Sequence, residues 1–280
     1  LEFYKLDAKN TISVKEAIGE IHGVIHFAAL KSVGESIEKP MDYYTENLES
    51  LLSIIDVANA KNSSNFIFSS SATVYGNCED ECVSEQTHLG LPLNPYGHTK
   101  SLGEKILSSG THQFKTILLR YFNPVGAHPS ALIGELPNGV PSNLVPFITQ
   151  AAAGIRKKLM IFGDDYDTRD GTCIRDFIHV VDLAEAHVAA LKYSDTMLKP
   201  LDVFNVGTGN GNTVMELINT FQSENNLTLN YEIGPRRPGD IKAIFTDTSK
   251  IRSKLKWENK YTLADSLKHS WAWEKKLRGL

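Results

Sequence analysis

Phe66-Ile67-Phe68-Ser69-Ser70-Ser71-Ala72-Thr73-Val74-Tyr75-Gly76 decides how this chain of 280 residues is read. Three apolar residues run into a cluster of hydroxyls, the pattern of a buried strand that ends at a ligand-collecting sheet edge. Outward from it, Val24 to Ala28 and Lys115 to Tyr121 read as two further buried strands. Pro40 opens a helix whose apolar positions Leu48, Leu51, Leu52, Ile55 and Val57 suit one face, and Tyr96 to Leu107 supplies the next crossover. Strands alternating with helices to about Tyr121 predict βαβ units, a mainly parallel doubly wound sheet, and the α/β class.

After Phe122 the texture shifts to Pro, Gly and Asn-rich connections, from Asn123-Pro124-Val125-Gly126-Ala127-His128-Pro129 to Gly171. The shift predicts one domain over residues 1–123 and a smaller, mainly separate α/β domain over 124–280, with some segments returning to the first sheet. Val180 to Tyr193 reads as a helix, Val203 to Val206 as a strand and Thr213 to Asn225 as another helix.

Charge and cysteine usage exclude several functions. Lys plus Arg total 29 against 33 for Asp plus Glu, a net charge of -4 that leaves no positive field for a nucleic-acid backbone. Cys78, Cys82 and Cys173 make neither a disulfide framework nor a zinc-type spacing, so no metal is expected and a reducing, cytoplasmic compartment fits. No apolar run has membrane-spanning length, and no membrane partner is expected.

A dinucleotide fold opens with a strand, a glycine-rich turn and a helix N-terminus. Gly207-Thr208-Gly209-Asn210-Gly211 comes too late for that role and reads as a strand-to-helix turn. The expectation is therefore a chain without the first βαβ unit, residues 1 to 6 forming the third strand of the parent order, and a poor retention of dinucleotide by these residues alone.

Tyr96 and Lys100 stand one helical turn apart behind Pro95, 25 residues after Ser71. A strand ending in hydroxyls followed by a Tyr-x-x-x-Lys helix resembles the short-chain dehydrogenase/reductases, in their extended, sugar-nucleotide branch. Other segments narrow the resemblance to the UDP-glucose (UDP-galactose) 4-epimerase family, over essentially the whole chain. They include His26-Phe27-Ala28-Ala29-Leu30-Lys31-Ser32-Val33-Gly34-Glu35-Ser36, Arg120-Tyr121-Phe122-Asn123-Pro124-Val125-Gly126, Arg175-Asp176-Phe177-Ile178-His179-Val180 and Arg236-Arg237-Pro238-Gly239-Asp240.

The resemblance implies NAD as cofactor, a UDP-hexose substrate, and a homodimer. It implies Tyr96 as the base, Lys100 as the cation beside it and on the nicotinamide ribose, and Ser71 bonding the reacting sugar oxygen with Thr73 as helper. A base is required because hydride leaves a carbinol only as the hydroxyl proton leaves too. A phenol titrates near 10, and bringing it to about 7 takes roughly 4 kcal/mol of preferential phenolate stabilisation, which an adjacent ammonium and a cationic ring would supply.

On the cofactor side the resemblance implies Asp7, Phe27, Ala28, Ala29, Lys31, Asn47 and Phe122, besides Ser71, Tyr96 and Lys100. On the substrate side it implies Asn123, Asn143, Leu144, Ile161, Phe162, Arg175, Arg237 and Asp240, with the two arginines on the diphosphate. Two positions depart from the pattern: Ala29 stands where glycine is common, and Ile244 has a bulk that leaves N-acetylated sugars open. A non-catalytic nucleotide-sugar scaffold is the alternative from a different class. A 4,6-dehydratase needs an acidic pair where this chain has Ala72 and Thr73.

Overall fold

The computed structural model describes every residue except Thr111 and Pro238, so Pro238 of the Arg236–Asp240 motif lies outside the described residues. In chain order, the first half holds α1 (Thr11–Ala17), β1 (Gly23–His26), α2 (Val33–Glu38), α3 (Pro40–Ala60), β2 (Asn65–Ser71), a 3-10 turn (Ala72–Tyr75), β3 (Cys82–Val83), α4 (Pro95–Leu107) and β4 (Lys115–Tyr121). There follow β5 (Asn123–Val125), α5 (Leu144–Ala152), β6 (Leu159–Phe162), β7 (Ile174–His179), α6 (Val180–Thr196), β8 (Leu201–Val206) and β9 (Gly211–Thr213). The chain closes with α7 (Val214–Asn225), β10 (Tyr231–Gly234), β11 (Ala243–Thr246), α8 (Ser249–Leu255) and α9 (Leu263–Arg278).

β1, β2, β4 and β8 form a parallel sheet in that order. Apolar residues alternate between its two faces, so both must be covered. Phe66, Phe68 and Leu118 pack with Leu51, Ile55 and Leu107 of α3 and α4, while Ile67, Ile117, Leu119 and Phe204 pack with Ala186 and Ala190 of α6 and Ile251 of α8. This is a doubly wound α/β arrangement.

β3, β11, β7 and β5 form a second sheet, with β9 antiparallel to β7, and β6 pairs with β10. A separate core of Val145, Ile148, Ile161, Leu217, Phe221 and Trp271 joins α5, α7 and α9 there.

Helix starts follow their side chains. Pro40 and Pro95 open α3 and α4, and the Asn94 side-chain Oδ1 caps α4 by accepting from the Gly97 amide. α7 and α9 each begin with a reciprocal capping box, Thr213 with Glu216 and Thr262 with Asp265. Gly103 brings α4 close to the sheet: a Cβ there would lie 2.7 Å from the Phe68 ring.

Several expectations need correction. Residues 1 to 6 are exposed and are not a strand, because a strand exists only through a hydrogen-bonded neighbour and none of the described residues pairs with them. β1 stops at His26, two residues short, so Phe27 and Ala28 lie beyond the sheet and exposed. Leu52 is turned outward, whereas Leu51, Ile55 and Val57 are buried. Among the described residues no helix is long and apolar enough to cross a membrane.

Candidate active site

The carboxyl end of β2 carries three successive serines with three different partners. Ser69 Oγ lies 3.0 Å from His187 Nε2, and His187 Nδ1 lies 2.8 Å from the Leu183 carbonyl. A carbonyl only accepts, so Nδ1 carries the proton and Nε2 receives the Ser69 hydroxyl. Ser70, on the opposite face of the strand, donates to Glu104 of α4. Ser71 accepts from the Thr73 amide at 3.2 Å, and its hydroxyl lies beside the phenol of Tyr96, where it favours the phenolate.

α4 presents Tyr96, Lys100 and Glu104 at successive turns toward the sheet, all three buried. Lys100 Nζ donates to the Ser69 carbonyl at 2.7 Å and stands 5.9 Å from the centre of the Tyr96 ring and 4.9 Å from that of Phe68. Asn47, buried inside α3, holds the loop after β1: its Oδ1 accepts from Leu30 N at 2.7 Å, and its Nδ2 donates to the Leu30 carbonyl and to Thr99 Oγ1.

Burial governs the titration of these groups. It pushes the Tyr96 phenol above its ordinary value, with Tyr121 and Tyr43 adding to the rise and the Ser71 hydroxyl opposing it. It pulls the Lys100 ammonium down to about 8. Lys100 alone therefore does not draw Tyr96 down as the sequence suggests; an ammonium turned toward a carbonyl in an apolar setting leaves the phenol protonated until further positive charge arrives.

Burial also pushes the His26 imidazole, between Phe66 and Phe68, down to about 4, with the Lys100 charge contributing. Between that value and 6.5 the unfolded chain binds the proton and the native chain does not, so stability falls as pH drops through this window. The span is worth roughly 3 kcal/mol. Denaturant melts from pH 7 to 4 should flatten in His26→Phe; an unchanged slope would remove His26 as the source.

A cavity of about 170 Å³ opens beside this cluster. Ser71, Thr73, Phe122, Asn123, Arg175 and Arg237 of the expected site line it, together with Ile244. Tyr96 and Lys100 sit behind that wall rather than in it. The Thr73 hydroxyl oxygen is buried without a hydrogen-bond partner. Two of the lining guanidinium groups share one carboxylate: Asp240 Oδ1 is 2.8 Å from Arg237 and 3.5 Å from Arg175. Two cations sharing one anion leave net positive charge, the chemistry of an anion site.

The remaining expected residues lie around this cavity in less direct ways. Phe162 stacks beneath the Arg237 guanidinium at 5.9 Å. Asn143 starts α5 and donates to Glu135, which also receives Lys31 at 3.2 Å. Leu144 packs against the second core. Asp7 is exposed and accepts from Lys9 N.

Ile161 is a correction: its side chain is 2% exposed in the second core, because period-two alternation along β6 turns Met160 and Phe162 outward instead. The late glycine turn spends its central amides inside the protein. Asp176 already accepts from Thr208 N, Thr208 Oγ1 and Gly209 N.

Sequence reading missed Tyr121 and Asn94 in the cavity wall, and the Glu104–Arg120 pair beneath it. Tyr121 ends β4 beside Phe122, and strand-end position was the signal that would have found it.

A nicotinamide dinucleotide fits what β1 presents. Phe27, 59% exposed and 4.7 Å from the His187 ring, lies with Ala28 and Leu30 as apolar surface beyond the carboxyl end of a parallel strand.

Comparison with known proteins identifies the family. The sequence model of the GDP-mannose 4,6 dehydratase family matches residues 1–270. UDP-glucose 4-epimerase of Pasteurella multocida is 43% identical over 281 residues, covering 99% of this chain and 83% of that protein. The Bifidobacterium longum UDP-glucose 4-epimerase, solved in complex with NAD+ and UDP, superposes with a TM-score of 0.91 at 43% identity, over 98% of this chain and 82% of that one. The Stenotrophomonas maltophila enzyme, with bound NAD and formylated UDP-arabinopyranose, gives 0.95 at 40% identity, over 99% and 83%.

Proposed function

Because the chain belongs to the UDP-glucose 4-epimerase family, we propose that it interconverts UDP-glucose and UDP-galactose with NAD as its cofactor. The observation that carries this is the placement of Ser71, beside the Tyr96 phenol, in the wall of a cavity that Arg175 and Arg237 also line. When bound, NAD supplies a reversible hydride acceptor. Phe27, Ala28, Ala29, Lys31, Asn47 and Phe122 would hold it, with Asp7 on its adenine side.

The proton chemistry belongs to the chain. Tyr96 Oη takes the proton of the sugar 4-hydroxyl as the C4 hydride leaves, and returns it when hydride comes back to the opposite face. Ser71 bonds the reacting oxygen and Thr73 offers its unpartnered hydroxyl to the sugar. Lys100 contributes positive charge beside the phenol.

Arg175 and Arg237 grip the diphosphate, Asp240 faces a ribose hydroxyl, and Asn123, Asn143, Leu144 and Phe162 border the nucleotide and sugar. A firmly held nucleotide and a loosely held 4-keto hexose allow the sugar to turn over between the two hydride transfers. Dehydration is disfavoured because Ala72 and Thr73 supply no acid pair before Val74. Full-length protein given NAD and UDP-galactose should yield UDP-glucose without net oxidation; absence of interconversion contradicts the reading.

We further propose that residues 1–123 serve the cofactor and residues 124–280 mainly the substrate, that the protein works in the cytoplasm, and that it is a homodimer. The dimer reading rests on α3, where exposed Met41 and Leu52 flank Leu48 on one face, and where Tyr44 bonds His98 of α4 at 2.7 Å. Leu52→Glu should convert a dimer to a monomer in sedimentation; a parent that sediments as a monomer rejects it.

A further inference from the structure

Glu104 lies one turn beyond Lys100 on α4, as Lys100 lies one turn beyond Tyr96. Residues at this spacing are neighbours, so a buried carboxylate there is within reach of the buried ammonium. Their pairing would cancel the positive charge beside the phenol.

The two are not paired. Both oxygens of Glu104 are engaged from the sheet: Arg120 of β4 places Nε 2.9 Å from Oε1 and Nη2 2.6 Å from Oε2, and the Ser70 hydroxyl donates to Oε1. Arg120 is fixed in turn by Nη1 donating to Tyr75 Oη at 3.3 Å, while that hydroxyl donates to Asn205 Oδ1 at 2.6 Å. Lys100 spends its short hydrogen bond on the Ser69 carbonyl.

Among the described residues, the other groups facing the Tyr96–Lys100 pair bring no negative charge at neutral pH: His26 of β1, Tyr43 of α3 and Tyr121 of β4. Glu35 of α2, which bonds the Tyr43 hydroxyl, is itself matched by Lys39.

We propose that Arg120 is a positioning residue that holds the Glu104 carboxylate away from Lys100, keeping an uncompensated ammonium beside Tyr96. The inference rests on the reading of Tyr96 as the base and deepens it. A buried ion pair is a poor stabiliser compared with apolar packing, so its presence beneath the site calls for a role other than stability.

The test uses the full-length protein with NAD bound. The pH midpoint of Tyr96 ionisation is read as the difference in ultraviolet phenolate absorbance between each protein and its Tyr96→Phe counterpart, and the pH dependence of kcat is followed beside it. Arg120→Gln frees Glu104 to reach Lys100, and the midpoint is expected to rise by about one pH unit or more, with kcat at neutral pH about tenfold lower and KM unchanged. Arg120→Gln combined with Glu104→Gln removes the carboxylate, and the midpoint should return to that of the parent.

An unmoved midpoint in the single variant overturns the proposal. So does a double variant as displaced as the single, which would mark a structural loss only. If Arg120→Gln does not fold, Arg120→Lys, which loses the two-pronged grip, must give a smaller rise; a parental midpoint there overturns it equally. Tyr96→Phe that stays active rejects the base itself, whereas an inactive Tyr96→Phe with an unmoved midpoint in Arg120→Gln rejects only the role of Arg120.

Discussion

Tyr96→Phe is expected to lower kcat for UDP-galactose conversion about a thousandfold, within the range that general acid–base catalysis contributes. The phenol lies beside Ser71 of the cavity wall, and in the proposed mechanism it is the carrier of the C4 hydroxyl proton. Removing one oxygen from a 7% exposed ring leaves the packing of α4 against β2 intact. Binding of UDP and retention of NAD, measured by calorimetry and by absorbance of the released nucleotide, should therefore match the parent. Turnover within tenfold of the parent would reject Tyr96 as the base.

Arg175→Leu is expected to act on binding instead. Its guanidinium lines the cavity, with Nη1 donating to the Ile174 carbonyl at 2.8 Å and Nη2 resting 3.5 Å from Asp240. A charge-assisted hydrogen bond is worth roughly 1.5–3 kcal/mol, so KM for the UDP-sugar should rise about 10- to 100-fold while kcat changes little. The remaining Arg237 then meets Asp240 alone, and their charges cancel, which strengthens the loss. Arg169→Leu, at a surface pair with Glu216, is the control and should leave KM unchanged. Equal KM values in Arg175→Leu and the parent would remove the diphosphate role.

Local patterns were legible where they depend on neighbours in sequence. β2, β4, α3 and α4 follow from apolar periodicity, the leading prolines and the Asn94 cap, and they place Ser71, Tyr96 and Lys100 together. What could not be read depends on partners far along the chain. Residues 1 to 6 have strand character but gain no hydrogen-bonded neighbour, and Leu52 has core character but faces outward.

Ile161 and Met160 are both apolar, and only the register of β6 against β10 decides which side faces inward. Glu104 and Arg120 each look like an ordinary charged position; their significance lies in a contact across 16 residues, inside the protein, beneath the base. The titration of Tyr96 is the same kind of property. Tyr-x-x-x-Lys spacing suggests a lowered phenol, yet burial wins in the chain alone.

The most direct measurement follows the hydrogen at sugar C4. UDP-galactose carrying deuterium at that carbon should give UDP-glucose with the deuterium still at C4, and unlabelled substrate turned over in heavy water should acquire none there. Loss of the label to water during interconversion would mean that the carbon-bound hydrogen leaves as a proton, and reversible hydride transfer beside Tyr96 would be wrong.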